Sequence, residues 1–130
     1  MKIMVCYDGS NVSKDALTLA LKHAKSFNAS VDVVTSRTKG TKYQLEDIIT
    51  TENELEYAKE LLTKENISCE THLLIRGMSP GEDLVQFARE NQTDEIIIGV
   101  KKRSKVEKII MGSTAQYVIL QAPCPVVSVK

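Results

Sequence analysis

Five short runs of apolar residues alternate along the chain with longer stretches in which apolar positions recur every three or four residues. The runs predict strands at residues 2–7, about 30–36, 68–76, 94–99 and 124–130. Continuous apolar runs of this length are typical of strands that are buried on both faces of a parallel sheet. The first run, KIMVCY, ends at the turn sequence Asp8-Gly9-Ser10.

The intervening stretches predict four helices. The first, at residues 12–27, has an apolar face, and Ser10 or Asn11 is available to cap it. The others are predicted at about 42–65, 79–91 and 113–122. Strict alternation of strands and helices predicts an α/β, doubly wound fold, with helices on both faces of a parallel sheet. We expect a single domain over residues 1–130.

Composition and charge narrow the function classes. Hydrophobic residues make up 42% of the chain, but Trp is absent and only two Phe occur, so the core should be mostly aliphatic. The 17 basic residues balance 17 acidic ones, and this balance does not indicate a nucleic-acid partner. No apolar run approaches the ~20 residues that span a bilayer, and the first residues do not resemble a signal peptide. We therefore expect a cytoplasmic protein with no membrane partner.

Cysteine and histidine patterns argue against metal or nucleophilic chemistry. The three cysteines, Cys6, Cys69 and Cys124, are odd in number and form no CxxC pair. We therefore expect these cysteines to act as small, buried apolar residues of a protein in a reducing compartment. His23 and His72 have no placed acid beside them and are expected to be structural or exposed. Because no nucleophile motif or carboxylate cluster is evident, we expect no metal site and no catalytic residue.

The segment between Gly99 and Thr114 is the candidate anion site. Gly99 ends the fourth strand, and Gly112 and Ser113 open the last helix. Basic residues lie between them at Lys101, Lys102, Arg103, Lys105 and Lys108. A helix N-terminus holds anions, and ligands of doubly wound sheets bind beyond the carboxyl ends of the strands. The same residues also fit a turn glycine, an N-cap and a solvated loop, so the residues alone leave both interpretations open.

The chain resembles the universal stress protein family over nearly its whole length. The likeness is carried by MVCYDGS, GMSPGEDLVQFA, DEIIIG and, most specifically, MGSTAQYVILQAPCPVVSVK. The fold expected from it is a Rossmann-like, five-stranded sheet with strand order 3-2-1-4-5. Members that bind ATP share a glycine pattern, which this chain matches at Gly99, Gly112 and Ser113. Lys102 replaces the second glycine, and there it would either block a nucleotide or reach a phosphate as a point charge.

The resemblance also implies positions for the base. Asp8 would accept a hydrogen bond from the adenine amine, although Asp-Gly-Ser alone suits an ordinary turn. Thr35 and Ser36 would lie beside the base. Arg76 and Gly77 would border the pocket, with a solvated strand end as the favoured alternative for Arg76. The expected binding residues are Asp8, Ser36, Gly99, Lys102, Arg103, Gly112, Ser113 and Thr114.

The implied function is regulatory binding of ATP or AMP, with Mg²⁺ accompanying the phosphates, and at most weak ATP hydrolysis. The resemblance further implies a homodimer through the C-terminal strand, residues 126–129, although this strand would equally suit a sheet edge covered by helices. The alternative function is an interaction scaffold of the same fold that binds no nucleotide, which Lys102 favours.

Overall fold

A computed structural model describes residues 1–38, 45–101 and 111–130 of the chain. The elements alternate as predicted: β1 (Lys2–Cys6), α1 (Asn11–Phe27), β2 (Ser30–Ser36), α2 (Leu45–Lys64), β3 (Cys69–Leu74), α3 (Pro80–Glu90), β4 (Glu95–Gly99), α4 (Ser113–Gln121) and β5 (Val126–Val129). Strand β1 ends one residue earlier than predicted. The predicted start of α2 near Lys42 lies outside the described residues. None of these helices is both long and apolar enough to cross a membrane.

The strands form one parallel sheet in the order β3-β2-β1-β4-β5, which confirms the expected fold. The chain moves outward from β1 through β2 to β3, then returns to the other side of β1 as β4. The order therefore reverses between β1 and β4. Crevices for ligands form at the carboxyl ends of two strands that flank such a reversal.

Two apolar clusters fill the space on either side of the sheet. Side chains of Ile3 and Val5 join one cluster with residues of α1 and α2. Met4 and Cys6 face the opposite way and join the other cluster with residues of α3 and α4. Successive side chains of a strand point to opposite faces, so a continuous apolar run supplies both layers. The clusters are mainly aliphatic, as composition predicts.

The three cysteines are free thiols, but only Cys6 is buried. Cys69 and Cys124 are half-buried, so the prediction of three buried cysteines is wrong for these two. Cys69 begins β3, and Cys124 lies just before β5. Both strands are at the edges of the sheet, where fewer neighbours cover a side chain.

Candidate functional site

A cavity of about 370 Å³ opens at the carboxyl ends of β1, β2 and β4. This volume falls within the ~300–1,000 Å³ that is usual for small-molecule sites. Eight residues that the sequence analysis placed in or beside the candidate site line it: Asp8, Thr35, Ser36, Gly99, Lys101, Gly112, Ser113 and Thr114. Arg76 and Gly77 are not part of its described lining. Lys102 and Arg103 lie outside the described residues. The fold thus gathers the expected residues from four separate segments.

The N-terminus of α4 faces this cavity. Gly112 is the N-cap residue, with φ −63° and ψ 158°, and it supplies no side-chain cap. The first amides of a helix have no acceptor within the helix, and the helix dipole makes this end positive. Among the described residues, no atom lies within 4 Å of a Cβ added at Gly112. The described part of the chain therefore leaves space beside these amides.

Each of the other three described helices has either a side-chain cap or acidic residues in its first turn. The Ser10 side chain accepts a hydrogen bond from the Ser13 amide at the start of α1. Helices α2 and α3 each carry two acidic residues in the first turn, whereas α4 carries none. Among these helices, α4 is the one with neither a side-chain cap nor an acidic first turn. Its N-terminus is suited to an anion from outside the protein.

Asp8 provides a half-exposed carboxylate at the end of β1. The Ser10 amide donates to its Oδ1 at 3.0 Å, and the Lys101 ammonium lies 3.7 Å from its Oδ2. Partial burial by itself would raise the pKa of Asp8, but hydrogen bonds from Ser10 and Ser13 and the charge of Lys101 together lower it below its usual value. Asp8 stabilises its own turn, and its carboxylate remains a hydrogen-bond acceptor at neutral pH.

Ser36 is hydrogen-bonded to a buried carboxylate that pairs with an exposed guanidinium group. Its hydroxyl donates to Asp83 Oδ2 at 3.2 Å, and the Asp83 side chain is fully buried. Arg76 Nε donates to the other oxygen of Asp83, and Arg76 also contacts Glu90. Arg76 lies just beyond β3 and is exposed, as expected of a solvated strand end, and its guanidinium group also pairs with two carboxylates. Sequence reasoning missed Asp83, since nothing in the pattern of α3 marks a buried acid.

Two cavity residues mainly support the protein frame. A Cβ at Gly99 would lie 2.8 Å from the backbone C and O of Val12, so a glycine is needed where α1 crosses the end of β4. Thr35 is buried, and its hydroxyl donates to the backbone oxygen of Tyr7. The Thr35 hydroxyl proton is therefore engaged within the protein. That Thr35 lies beside a bound base stays a prediction.

Apolar residues at the floor of the cavity were not singled out from the sequence. Val34, Leu84, Ile98 and Val100 line it together with the polar groups, and Arg37 lies at its rim. The strand pattern predicts that Val34 and Ile98 are buried. It does not show that these two side chains and Leu84 of α3 border one cavity.

Both histidines pair with carboxylates, away from the cavity. His23 Nδ1 lies 2.6 Å from Glu95 Oε1, and His72 Nε2 lies 3.1 Å from Asp32 Oδ1. With Glu70, the second pair places three metal-ligand atoms within 4.8 Å of one another. Sequence reasoning missed this group because His72 and Asp32 are 40 positions apart and meet only through the β2–β3 pairing. Asp32 and Glu70 lie in the first halves of β2 and β3, whereas the cavity opens at the carboxyl ends of the strands.

Comparisons with known proteins agree over the whole chain. The family model for the Universal stress protein family matches residues 1–130. A universal stress protein of Methanocaldococcus jannaschii is 31% identical over 140 residues, which cover 99% of this chain and 81% of the relative. The solved structure of a universal stress protein from Archaeoglobus fulgidus has a TM-score of 0.88 and 37% identity, covering 100% of this chain and 93% of that one. A structure from the same organism, in complex with dAMP, has a TM-score of 0.84 and 36% identity, covering 100% and 98%.

Proposed function

This chain belongs to the universal stress protein family, and on that premise we propose that its cavity binds an adenine nucleotide, ATP or AMP, as a regulatory ligand. One observation carries the proposal: the uncapped N-terminus of α4, with no acidic residue in its first turn, opens on a cavity at the strand reversal. The similar Archaeoglobus protein in complex with dAMP supports this ligand class, because dAMP joins an adenine to one phosphate.

The two ends of the cavity suit the two ends of such a nucleotide. Phosphate oxygens would accept hydrogen bonds from the first amides of α4 and from the hydroxyls of Ser113 and Thr114. The base would lie over the apolar floor at the ends of β1 and β2, within reach of Asp8 and Ser36. We include Lys102 and Arg103 in the proposed site as phosphate contacts on their position in the glycine pattern. With ATP, Mg²⁺ would accompany the phosphates.

The charge state of the cavity supports binding rather than catalysis. In the described lining, Asp8 is the single carboxylic acid. Partial burial favours its protonated form, but the contacts of Ser10, Ser13 and Lys101 outweigh this and lower the pKa of Asp8. A carboxylate with a lowered pKa is a weak general base. Any ATP hydrolysis by this protein should accordingly be slow.

Calorimetric titration with AMP, and with ATP in the presence and absence of Mg²⁺, tests the proposal. We expect Gly112→Val to abolish binding while the protein stays folded, because the new side chain would occupy the open space in front of the free amides. Ser79→Ala is the matched control: Ser79 is the N-cap of α3, makes no side-chain cap bond and lies outside the described lining. Its nucleotide affinity should equal that of the wild type. Absence of heat with millimolar AMP and ATP would refute nucleotide binding.

The same titration separates the scaffold function from the nucleotide-binding one. If Lys102 excludes nucleotides, the wild type will not bind them and Lys102→Gly will. If Lys102 contributes a phosphate contact, Lys102→Gly will weaken ATP binding instead. The two results have opposite signs, so this one substitution decides between the alternatives.

We also propose a homodimer through β5. This strand lies at the edge of the sheet, and an unpaired edge invites pairing with a second copy. The backbone oxygens of Pro125 and Val129 accept bonds from β4, so the amide of Ser128 points away from the sheet. Ser128→Pro removes this outward donor and should yield monomers in analytical ultracentrifugation. Ser128→Ala keeps the amide and should remain dimeric. A monomeric wild type, with or without AMP, would refute the dimer.

A further inference from the structure

The hydroxyl proton of Ser36 is committed to a fully buried carboxylate. Asp83, in the first turn of α3, has no exposed side-chain surface, and its Oδ2 accepts from the Ser36 hydroxyl at 3.2 Å. Its Oδ1 accepts from Arg76 Nε at 2.5 Å. A carboxylate paired with a guanidinium group has no proton to donate, so the hydroxyl must point its proton toward Asp83. Only the lone pairs of Ser36 Oγ remain for another partner.

Arg76 holds the Asp83 carboxylate in place through further hydrogen bonds. Its Nη2 donates to the backbone oxygen of Asp83 at 3.2 Å, and its Nη1 donates to Glu90 Oε1 at 3.0 Å. Desolvation by itself would lower the pKa of Arg76, but its contacts with Asp83 and Glu90 outweigh this and raise the pKa. Arg76 is therefore a permanent cation held between two carboxylates. It keeps the negative charge of Asp83 in front of Ser36.

Ser36 and Asp8 both line the cavity, and the carboxylate of Asp8 and the remaining lone pairs of Ser36 Oγ can act only as hydrogen-bond acceptors. The 6-amino group of adenine is a donor, whereas the 6-oxo group of hypoxanthine or guanine is an acceptor. Resting on the proposed nucleotide site, we propose that Asp83 and Arg76 are specificity-positioning residues that hold Ser36 as an acceptor and so select 6-aminopurine over 6-oxopurine nucleotides. A 6-oxo group would leave the acceptor of Ser36 unpaired in a partly buried place, which is costly.

Binding of AMP and of IMP, which differ at this position of the base, tests the inference. We expect the wild type to prefer AMP by roughly tenfold or more, as the mismatch of one buried hydrogen bond requires. In Asp83→Asn the new amide can donate to Ser36 Oγ, which frees the hydroxyl proton for the ligand. The preference for AMP should then fall to about threefold or less, mainly through stronger IMP binding.

Two further variants keep the test decisive. Ser36→Ala retains the Asp83–Arg76 pair and should weaken AMP binding several-fold without weakening IMP binding, and this test remains even if Asp83→Asn fails to fold. Glu90→Gln alters the exposed partner of Arg76 without touching Asp83 or Ser36, and its AMP preference should match that of the wild type.

The possible results separate this inference from the proposed function. If the wild type binds neither nucleotide, nucleotide binding itself fails. If it binds AMP and IMP equally, the cavity binds nucleotides and the inference fails. The inference is also overturned if the preference for AMP persists unchanged in both folded Asp83→Asn and Ser36→Ala, because Asp8 would then account for the selectivity.

Discussion

Replacing Gly99 by alanine should destabilise the protein more than replacing Gly112, although both glycines belong to the same sequence pattern. A Cβ at Gly99 would lie 2.8 Å from both the C and the O atom of Val12. These are backbone atoms at the start of α1, so relief requires the helix to move away from β4. Overpacking of this kind costs about 1–3 kcal/mol, and because the clash is with backbone we expect the upper half of that range.

The matched variant is Gly112→Ala, which makes the same chemical change in open space. Its expected cost is about 1 kcal/mol or less, from the poorer N-cap preference of alanine. Urea unfolding followed by circular dichroism measures both free energies of unfolding. Thermal melting should show Gly99→Ala roughly 6–12 °C below the wild type. Equal stability of Gly99→Ala and the wild type would refute the argument that close packing requires this glycine.

Three further predictions concern charged groups and thiols. The pKa of Asp8 lies below its ordinary value of 3.8, so its carboxylate stabilises the fold above pH 3.8 and this contribution is lost as the pH falls below that value. When urea unfolding is measured between about pH 5 and pH 2, the free energy of unfolding of Asp8→Asn should therefore fall less than that of the wild type. An equal fall in both proteins would contradict this. Arg76→Met should lower the free energy of unfolding by about 2–3 kcal/mol, because buried Asp83 loses its counter-ion. An unchanged free energy of unfolding in urea would show that the positive charge of Arg76 does not stabilise Asp83 and Glu90. Burial raises the pKa of the Cys6 thiol to about 12. At about pH 8 a disulfide reagent should therefore modify Cys6 of the native protein only as fast as the chain unfolds. Rapid labelling of Cys6 would contradict its burial.

Local signals on the chain predicted the elements well. Asp8-Gly9-Ser10 marks the end of β1, and Ser10 caps α1 as expected. Pro80 occupies the start of α3. These features depend on neighbouring residues only, so a pattern of a few positions contains the necessary information. The strand order required the family resemblance, because alternation predicts a parallel sheet without stating which strands are neighbours.

The candidate site could be predicted only in part. Asp8 and Ser36 were expected beside a ligand because of the family resemblance, and both line the cavity at the edge where the strand ends of the parallel sheet meet. The sequence analysis did not predict that Asp83 is buried, because Asp83 lies within an amphipathic helix pattern. The pattern does not show that Arg76 pairs with it. The pairing of Asp32 with His72 was missed for the same reason, as it arises from the register of β2 against β3.

The sequence by itself determined the alternation of strands and helices, the aliphatic two-sided core and the clustering of Asp8, Gly99 and Gly112 at one sheet edge. The tertiary structure decided what each of these residues does there. It gave Gly99 a packing role against Val12, left Gly112 facing open space and turned the proton of Ser36 toward a buried acid. Burial and hydrogen-bond direction depend on atoms that are distant along the chain, and no local pattern of residues contains them.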